Sequence, residues 1–506
     1  MKRSMFRLMK TYGHFIGGRH VPGKSGALGD VYWPMTGEVA ARVALAGKGD
    51  VDAAVENAKA AQPAWAATNP QRRARVLMKF LDLANAEIDS LTDLLAREHG
   101  KVLADAKGDI QRGLEVIEFS LGAPHLMKGE FTEGAGPGID VYSMRQPLGV
   151  VVGITPFNFP AMIPMWKFGP AIACGNAFIL KPSERDPGVP LRLAELMMEA
   201  GLPAGILNVV NGSKDCVDAL LDHPDVAGIG FVGSSEIAQY VYGRGSANGK
   251  RVHAFGGAKN HMIIMPDADM NQAVDAIMGA AYGSAGERCM AISVAVPVGQ
   301  ATADKFISAL APRVEAIKVG PSVDPQAEMG PLVTRAHLEK VRTYVDRGVE
   351  EGAKLVVDGR KFRMQGYENG FYLGACLFDD VTPEMSIYKD EIFGPVLSTV
   401  RANTYDDALT LASDNEYGNG VAIFTRDGDA ARDFAAKVNC GMVGINVPLP
   451  VPLAYYTFGG WKRSGFGDLN QHGPDSFRFY TKTKTVTSRW PSGVKEGAEF
   501  IMPVMK

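Results

Sequence analysis

Gly149-Val150-Val151-Val152-Gly153-Ile154-Thr155-Pro156-Phe157-Asn158-Phe159-Pro160 is the stretch that decides the fold class. Its first six residues are apolar without alternation, as in a strand covered on both faces. Turn residues end it, and a helical pattern follows to residue 173. A second apolar strand, 177–180, runs into Lys181-Pro182-Ser183-Glu184, and a helix over 190–200 comes next. A third strand, 206–210, ends at Asn211-Gly212, and a fourth, 228–232, ends at Gly233-Ser234. Short strands alternating with helices predict a doubly wound, parallel α/β sheet. Ligands of such sheets bind outside the carboxyl ends of the strands. Pro147, Pro156, Pro160, Pro164 and Pro170, with Asn158 and Lys167, argue against a membrane helix in this most apolar region.

Gly228-Ile229-Gly230-Phe231-Val232-Gly233 spells GxGxxG, but its first two glycines fall inside the strand. No acidic residue lies about 20 positions further on to hold a ribose. The sounder signal is Gly233-Ser234 between a strand and a helix over 236–241, where free N–H groups favour a phosphate. Lys181, at a neighbouring strand end, has the reach for ribose or phosphate.

A second α/β set begins after Phe255. A strand over 261–265 leads into a helix that starts near Asp267-Ala268-Asp269 and carries Ala273, Val274, Ile277, Met278 and Ala281 on one face. Gly283-Ser284-Ala285-Gly286-Glu287-Arg288-Cys289-Met290 breaks that helix before a strand over 291–298. A cysteine beside an arginine after a glycine-rich break is where a reactive thiol is presented. Most free cysteines are instead small buried residues, and spacing alone leaves both readings open. A helix over 110–121 places Ile110, Leu114, Ile117 and Leu121 on one stripe, and Arg112 off it reads as a solvated charge. Near the end, 477–487 shows the threonine alternation of an exposed strand, whose lysines discourage stray pairing. It has no local mate, so its partner lies elsewhere in the fold or in another subunit.

The 506 residues correspond to roughly three domain-sized units. A hydrophobic share of 46%, a charged share of 22% and a net charge of -3 describe an ordinary globular protein with no call for nucleic acid or an acidic membrane. Five scattered cysteines without short spacings read as reduced thiols, and nine histidines without an HExxH pattern predict no metal. Residues 1–10 are basic and lack the continuous apolar core of a secretory signal. A cytoplasmic location is expected, with a short mitochondrial presequence as the alternative.

Taken in order, Thr155-Pro156-Phe157-Asn158-Phe159-Pro160, Lys181-Pro182-Ser183-Glu184, Phe231-Val232-Gly233-Ser234, Gly286-Glu287-Arg288-Cys289 and Glu391-Ile392-Phe393-Gly394-Pro395 resemble the aldehyde dehydrogenase superfamily over nearly the whole chain. The resemblance implies a Rossmann-type NAD-binding domain (1–125 and 146–255), an α/β catalytic domain (256–455) and a small β oligomerisation element (126–145 and 475–490). It also implies a homotetramer built as a dimer of dimers. Gly257-Ala258-Lys259-Asn260-His261, Arg288-Cys289-Met290-Ala291 and Gly444-Ile445-Asn446-Val447-Pro448 look like the CoA-acylating, methylmalonate-semialdehyde branch.

By that resemblance Cys289 is the nucleophile, and Asn158 donates its amide to the oxyanion. Glu391 holds the nicotinamide ribose, and Lys181 with Glu184 the adenosine ribose. Arg185 adds a cofactor contact, Ser234 meets the pyrophosphate, and Thr155, Phe157 and Gly256 line the cleft. Glu184 favours NAD over NADP, since a carboxylate repels a 2'-phosphate. Arg112 and Arg288 match positions that grip a substrate carboxylate, which replaces the solvated reading of Arg112. Phe255 stands where hydrolytic members carry a water-activating glutamate, so the acyl group awaits coenzyme A. Glu287 departs from the glutamine common in the branch. The branch implies oxidation of methylmalonate or malonate semialdehyde; the alternatives are a hydrolytic aldehyde dehydrogenase and a catalytically silent member of the fold.

Overall fold

The computed structural model describes residues 9–490, so most of the basic leading stretch (1–8) lies outside the described residues. An eight-stranded sheet runs in the order Gly465–Phe466, Arg251–Phe255, Val226–Val232, Val150–Ile154, Ala177–Lys181, Leu207–Val209, His14–Ile16 and Arg19–Val21. Its five central strands are parallel and its outer strands antiparallel. Val150–Ile154 and Ala177–Lys181 are buried at every position, which is why they read as unbroken apolar runs. The register sets Ile154 opposite both Lys181 and Phe231, and Val232 opposite Phe255. Four strands therefore end level, and Thr155, Pro182, Gly233 and Gly256 leave the same edge. Gly228 and Gly230 lie inside Val226–Val232, as expected.

The second sheet has seven strands, in the order Lys354–Val357, Cys376–Asp379, Val396–Thr399, Ile292–Pro297, Asn260–Ile264, Gly420–Phe424 and Met442–Ile445, parallel except for the first. Each large sheet has its own hydrophobic core. Between them lies a smaller cluster that joins Val232 and Phe255 from one sheet to Met290 and Met442 beside the other. Full burial of such a side chain contributes about 1.5–3 kcal/mol.

The third sheet is antiparallel. Thr481–Arg489 pairs along its whole length with Ile139–Pro147, and Phe131–Gly136 flanks the other side. The threonine strand thus finds its mate within its own chain. It begins later than its composition suggests: Phe477, Arg478 and Phe479 belong to the helix Pro474–Phe479, whose phenylalanines are buried. Alternation over 477–479 is a strand pattern, but Pro474 opens a helical turn and the Tyr480 N–H donates to Ser476 O, so local backbone bonding overrides it. Met442–Ile445 ends where Asn446 adopts a positive φ of 55°.

Among the described residues no helix is long and apolar enough to cross a membrane. No group of three or more His, Cys, Asp or Glu side chains there is arranged to hold a metal.

Candidate active site

The helix Met270–Tyr282 ends at Gly283, and the next three residues are left-handed: Ser284, Ala285 and Gly286, with φ of 53°, 51° and 74°. Such backbone is costly for residues with a Cβ and is kept where the surroundings impose it. At Gly286 only glycine fits, since a Cβ would stand 2.1 Å from the Gly394 carbonyl oxygen. That approach locks the cysteine loop against the turn after Glu391. The loop is fixed at its far end too: the Cys289 carbonyl accepts from the side-chain amides of Asn260 at 2.9 Å and Asn419 at 3.0 Å. The other four cysteines are buried, whereas Cys289 keeps some exposure. Desolvation of its thiol, then the nearby Glu391 carboxylate, push its pKa up to about 12, against the pull of the Cys289 and Met290 N–H groups. At rest the sulfur is a neutral thiol.

Asn158 leaves the first sheet four residues beyond Ile154 and is buried. Lys101 Nζ donates to its carbonyl at 2.6 Å, while its side-chain amide forms no hydrogen bond with any described residue. Phe157 stands in a box of His99 at 5.8 Å, Phe393 at 5.9 Å, His337 at 6.4 Å and the Arg185 guanidinium at 4.8 Å.

Glu391 Oε1 accepts from the Ala258 N–H at 2.9 Å, and burial pushes this carboxyl up to about 7. Gly257 is required for that approach, because a Cβ there would lie 2.4 Å from Glu391 Oε2. The buried Lys259 braces the same turn, donating to Ile387 O and Asp390 O at 2.7 Å each. Lys181 Nζ spends two donors on Pro182 O and Gly212 O, both at 2.7 Å, and stands 3.7 Å from the half-exposed Glu184. Ser234 caps Ser235–Ala247 in extended conformation without a side-chain capping bond. Ser235 Oγ donates to Arg463 O at 2.8 Å and accepts from the Gly257 N–H at 2.9 Å. Gly256 packs too closely on Ser235 Oγ and Arg463 O, both 2.5 Å from where a Cβ would sit, to be anything else.

Arg112 and Arg288 are both engaged. Arg288 Nη2 meets Asp105 Oδ1 at 2.5 Å and its Nη1 donates to Gly279 O at 3.3 Å. Arg112 pairs with Glu115 and donates from Nη2 to Pro452 O at 2.7 Å. It is half-buried, so a purely solvated charge is not its role. Asp105 and Arg112 share the helix Leu103–Ser120 two turns apart, about 10 Å along its axis. Glu287, for which sequence supplied no physical account, is wholly buried. Its Oε1 accepts from the Val333 N–H at 3.2 Å and lies 3.6 Å from His337 Nε2, and burial pushes its carboxyl up to about 8. Phe255 packs with Met162, Trp166, Met290 and Phe458, and Cys289 and Phe159 lie against this cluster. It offers no base at the end of its strand.

The groups that sequence reading passed over are the braces Lys101, Asp105, Asp109, Ser235 and Asn419; Lys259 and Asn260 stood in a branch motif but were given no role. One signal was present for some of them. Asp105, Asp109 and Arg112 fall at i, i+4 and i+7, a polar stripe on a helix whose Ile110, Leu114 and Ile117 point into the core.

An aldehyde dehydrogenase family profile matches residues 20–486. The chain belongs to that family. It is 55% identical to the malonate-semialdehyde dehydrogenase of Pseudomonas aeruginosa, over 98% of this chain and 100% of the relative. It is 45% identical to the mitochondrial, acylating methylmalonate-semialdehyde/malonate-semialdehyde dehydrogenase of Mus musculus, over 97% of this chain and 92% of that one. A crystal structure of a Sinorhizobium meliloti chain assigned as methylmalonate-semialdehyde dehydrogenase, in complex with NAD, superposes with a TM-score of 0.96. Its identity is 67%, with coverage of 97% of this chain and 100% of that one.

As a member of this family the chain has residues that fit a dinucleotide. Thr155 Oγ1 is buried at the strand edge without a partner. The Ser234 hydroxyl and the first N–H groups of the following helix are uncommitted to any cap. Both observations match a site that reserves polar atoms for a phosphorylated ligand.

Proposed function

We propose that this aldehyde dehydrogenase oxidises malonate semialdehyde and its methyl homologue with NAD, and delivers acetyl-CoA and propionyl-CoA with release of carbon dioxide or bicarbonate. The observation that carries this reading is Phe255. A buried phenylalanine, in the apolar cluster against which the nucleophile lies, leaves that strand end without a carboxylate to activate water.

Cys289 attacks the aldehyde carbon as its proton departs, and the Cys289 and Met290 N–H groups favour the sulfur anion. The carbonyl oxygen becomes an oxyanion that the Asn158 amide and the Cys289 backbone N–H receive. NAD, when bound, accepts the hydride that leaves the tetrahedral carbon. Ser234 and the helix start behind it hold its pyrophosphate, Glu391 one ribose, and Lys181 with Glu184 the other, with Thr155, Phe157, Arg185 and Gly256 lining its cleft. Because Lys181 Nζ already serves two carbonyls, its share in ribose binding is its remaining donor. A thioester is left on Cys289.

Arg288 and Arg112 grip the substrate carboxylate with the N–H donors that Asp105 and Glu115 leave free. The carboxylate carbon then departs as carbon dioxide. Its bonding pair passes to the carbon beside the thioester, which takes a proton from solvent. The thiol of coenzyme A attacks the thioester, releasing acyl-CoA and restoring the Cys289 thiol.

The working unit on this reading is a cytoplasmic homotetramer. Residues 1–125 and 146–255 bind NAD, 256–455 hold the chemistry, and the strands in 126–145 and 475–490 join subunits. The test is a product assay over short aldehydes with and without a carboxylate. Acyl-CoA formed only from the acidic aldehydes, and only with coenzyme A present, supports the proposal. Free acid formed equally well without coenzyme A would assign a hydrolytic enzyme, and no NADH from any aldehyde a silent one.

A further inference from the structure

Lys101 and Asp109 form an ion pair at 3.4 Å with neither side chain exposed. Burying two charges costs several kcal/mol per ion before their attraction is counted, and an apolar pair of similar volume often serves stability as well or better. Stability is therefore weak grounds for keeping the pair, and its remaining contacts point to another role. Lys101 Nζ donates to Asn158 O at 2.6 Å, and Asp109 Oδ1 accepts from the Met162 N–H at 2.7 Å. Lys101 also lies 4.2 Å over the ring of Phe159.

These bonds take hold of one short segment at both ends. Residues 158–162 run from the strand-end loop into the helix Met162–Ala173, and Pro160 in their middle has no N–H to anchor them. Besides these grips and the helix's own bonds, the segment has only two long backbone bonds among the described residues, Ile163 N–H to Phe159 O at 3.3 Å and Met165 N–H to Ala161 O at 3.2 Å, so a grip at the Asn158 carbonyl alone would leave it room to turn. The second grip at Met162, made by the partner of the first and shorter than either backbone bond, restricts that turning. Asn158 carries the only amide side chain in the segment, and that amide forms no hydrogen bond with any described residue. Asp105 and Arg112, on the same stripe as Asp109, hold the neighbouring Arg288 and Pro452 in like manner, so this helix face is the frame on which three site loops are hung.

We propose that the Lys101–Asp109 pair is a positioning device that aims the Asn158 amide at the oxyanion formed over Cys289. The inference rests on the reading of Asn158 as an oxyanion donor, and the experiment separates the two. Removing one partner would strand a buried charge and risk unfolding. The informative variant removes both, Lys101→Met with Asp109→Leu, and is compared with Asn158→Ala and with the triple variant. Thermal melting and NAD affinity report folding, and the rate of Cys289 alkylation reports the nucleophile.

The expected result is a folded pair variant with NAD affinity and alkylation rate within about twofold of the parent, and kcat lower by about 10- to 100-fold, the scale of a misplaced catalytic group. Asn158→Ala alone should lose about 100- to 1000-fold, the scale of a lost oxyanion donor. The triple variant should be no worse than Asn158→Ala by more than about threefold, because acting through one group makes the losses non-additive. Parental kcat in the pair variant, beside a crippled Asn158→Ala, would overturn the positioning role alone. A full further loss in the triple variant would overturn it as well. Parental kcat in Asn158→Ala would overturn the Asn158 assignment, and the proposal with it.

Discussion

The carboxylate of Asp105 lies 2.5 Å from the guanidinium of Arg288, the residue next to the nucleophile. A loop with three consecutive left-handed residues is thereby tied, across 183 positions of sequence, to the first turn of a helix that carries a second site arginine. Arg288 and Arg112 are thus held in place before substrate arrives, and a bound carboxylate loses less rotamer entropy in meeting them than it would with two free side chains.

The first expectation concerns that grip. Arg112→Ala and Arg288→Ala should each raise KM for malonate semialdehyde about 10- to 100-fold, the range of one hydrogen bond to a charged group. KM for propanal should change little. Steady-state kinetics on both aldehydes checks this, and equal changes would remove the carboxylate grip.

Phe255→Glu should change the fate of the thioester. A carboxylate at that strand end should allow NADH formation to proceed without coenzyme A, with free acid among the products. The melting temperature should fall by several degrees, since losing a buried phenylalanine costs about 3–5 kcal/mol. Unchanged dependence on coenzyme A in a folded variant would mean that the missing carboxylate is not what withholds water.

Glu287 gives stability a pH dependence of known sign. Burial raises its carboxyl from 4.5 to about 8 in the folded chain. The native state therefore binds more protons than the unfolded one between those values, and stability falls as pH rises through that window. Glu287→Gln keeps an acceptor for the Val333 N–H and has no charge to bury. Its melting temperature should exceed the parent's at pH 8 and match it near pH 4.5. A difference independent of pH would show that Glu287 ionises freely in the folded protein.

Gly286→Ala should disable the site through the backbone. The new Cβ would meet Gly394 O at 2.1 Å in a residue whose φ is 74°. Melting should drop, and alkylation of Cys289 should change in rate even in the folded fraction. An alanine variant with parental kcat would show that the cysteine loop and the turn after Glu391 are not locked together.

Much of the fold was legible because buried parallel strands declare themselves as unbroken apolar runs, as at Val150–Ile154 and Ala177–Lys181. The cysteine loop, the loop of Asn158 and the turn of Glu391 were legible as breaks between such elements. What stayed hidden depends on distant partners. Lys101 and Asn158 are 57 positions apart, and nothing near either residue announces the other. The helical state of 477–479 was hidden for a different reason: the alternation there is a strand pattern, and the helix is set by the turn that Pro474 begins upstream of it. Glu287 could be noted as unusual, but its unionised state at neutral pH follows only from the depth at which the fold places it.

The most direct measurement is intact-mass spectrometry of the enzyme mixed with NAD and malonate semialdehyde, first without coenzyme A and then with it. Without coenzyme A, one burst of NADH and an acetyl adduct confined to Cys289 are expected; adding coenzyme A should discharge that adduct as acetyl-CoA and restart turnover. Steady NADH formation without coenzyme A, with Cys289 unmodified and free acid accumulating, would contradict it.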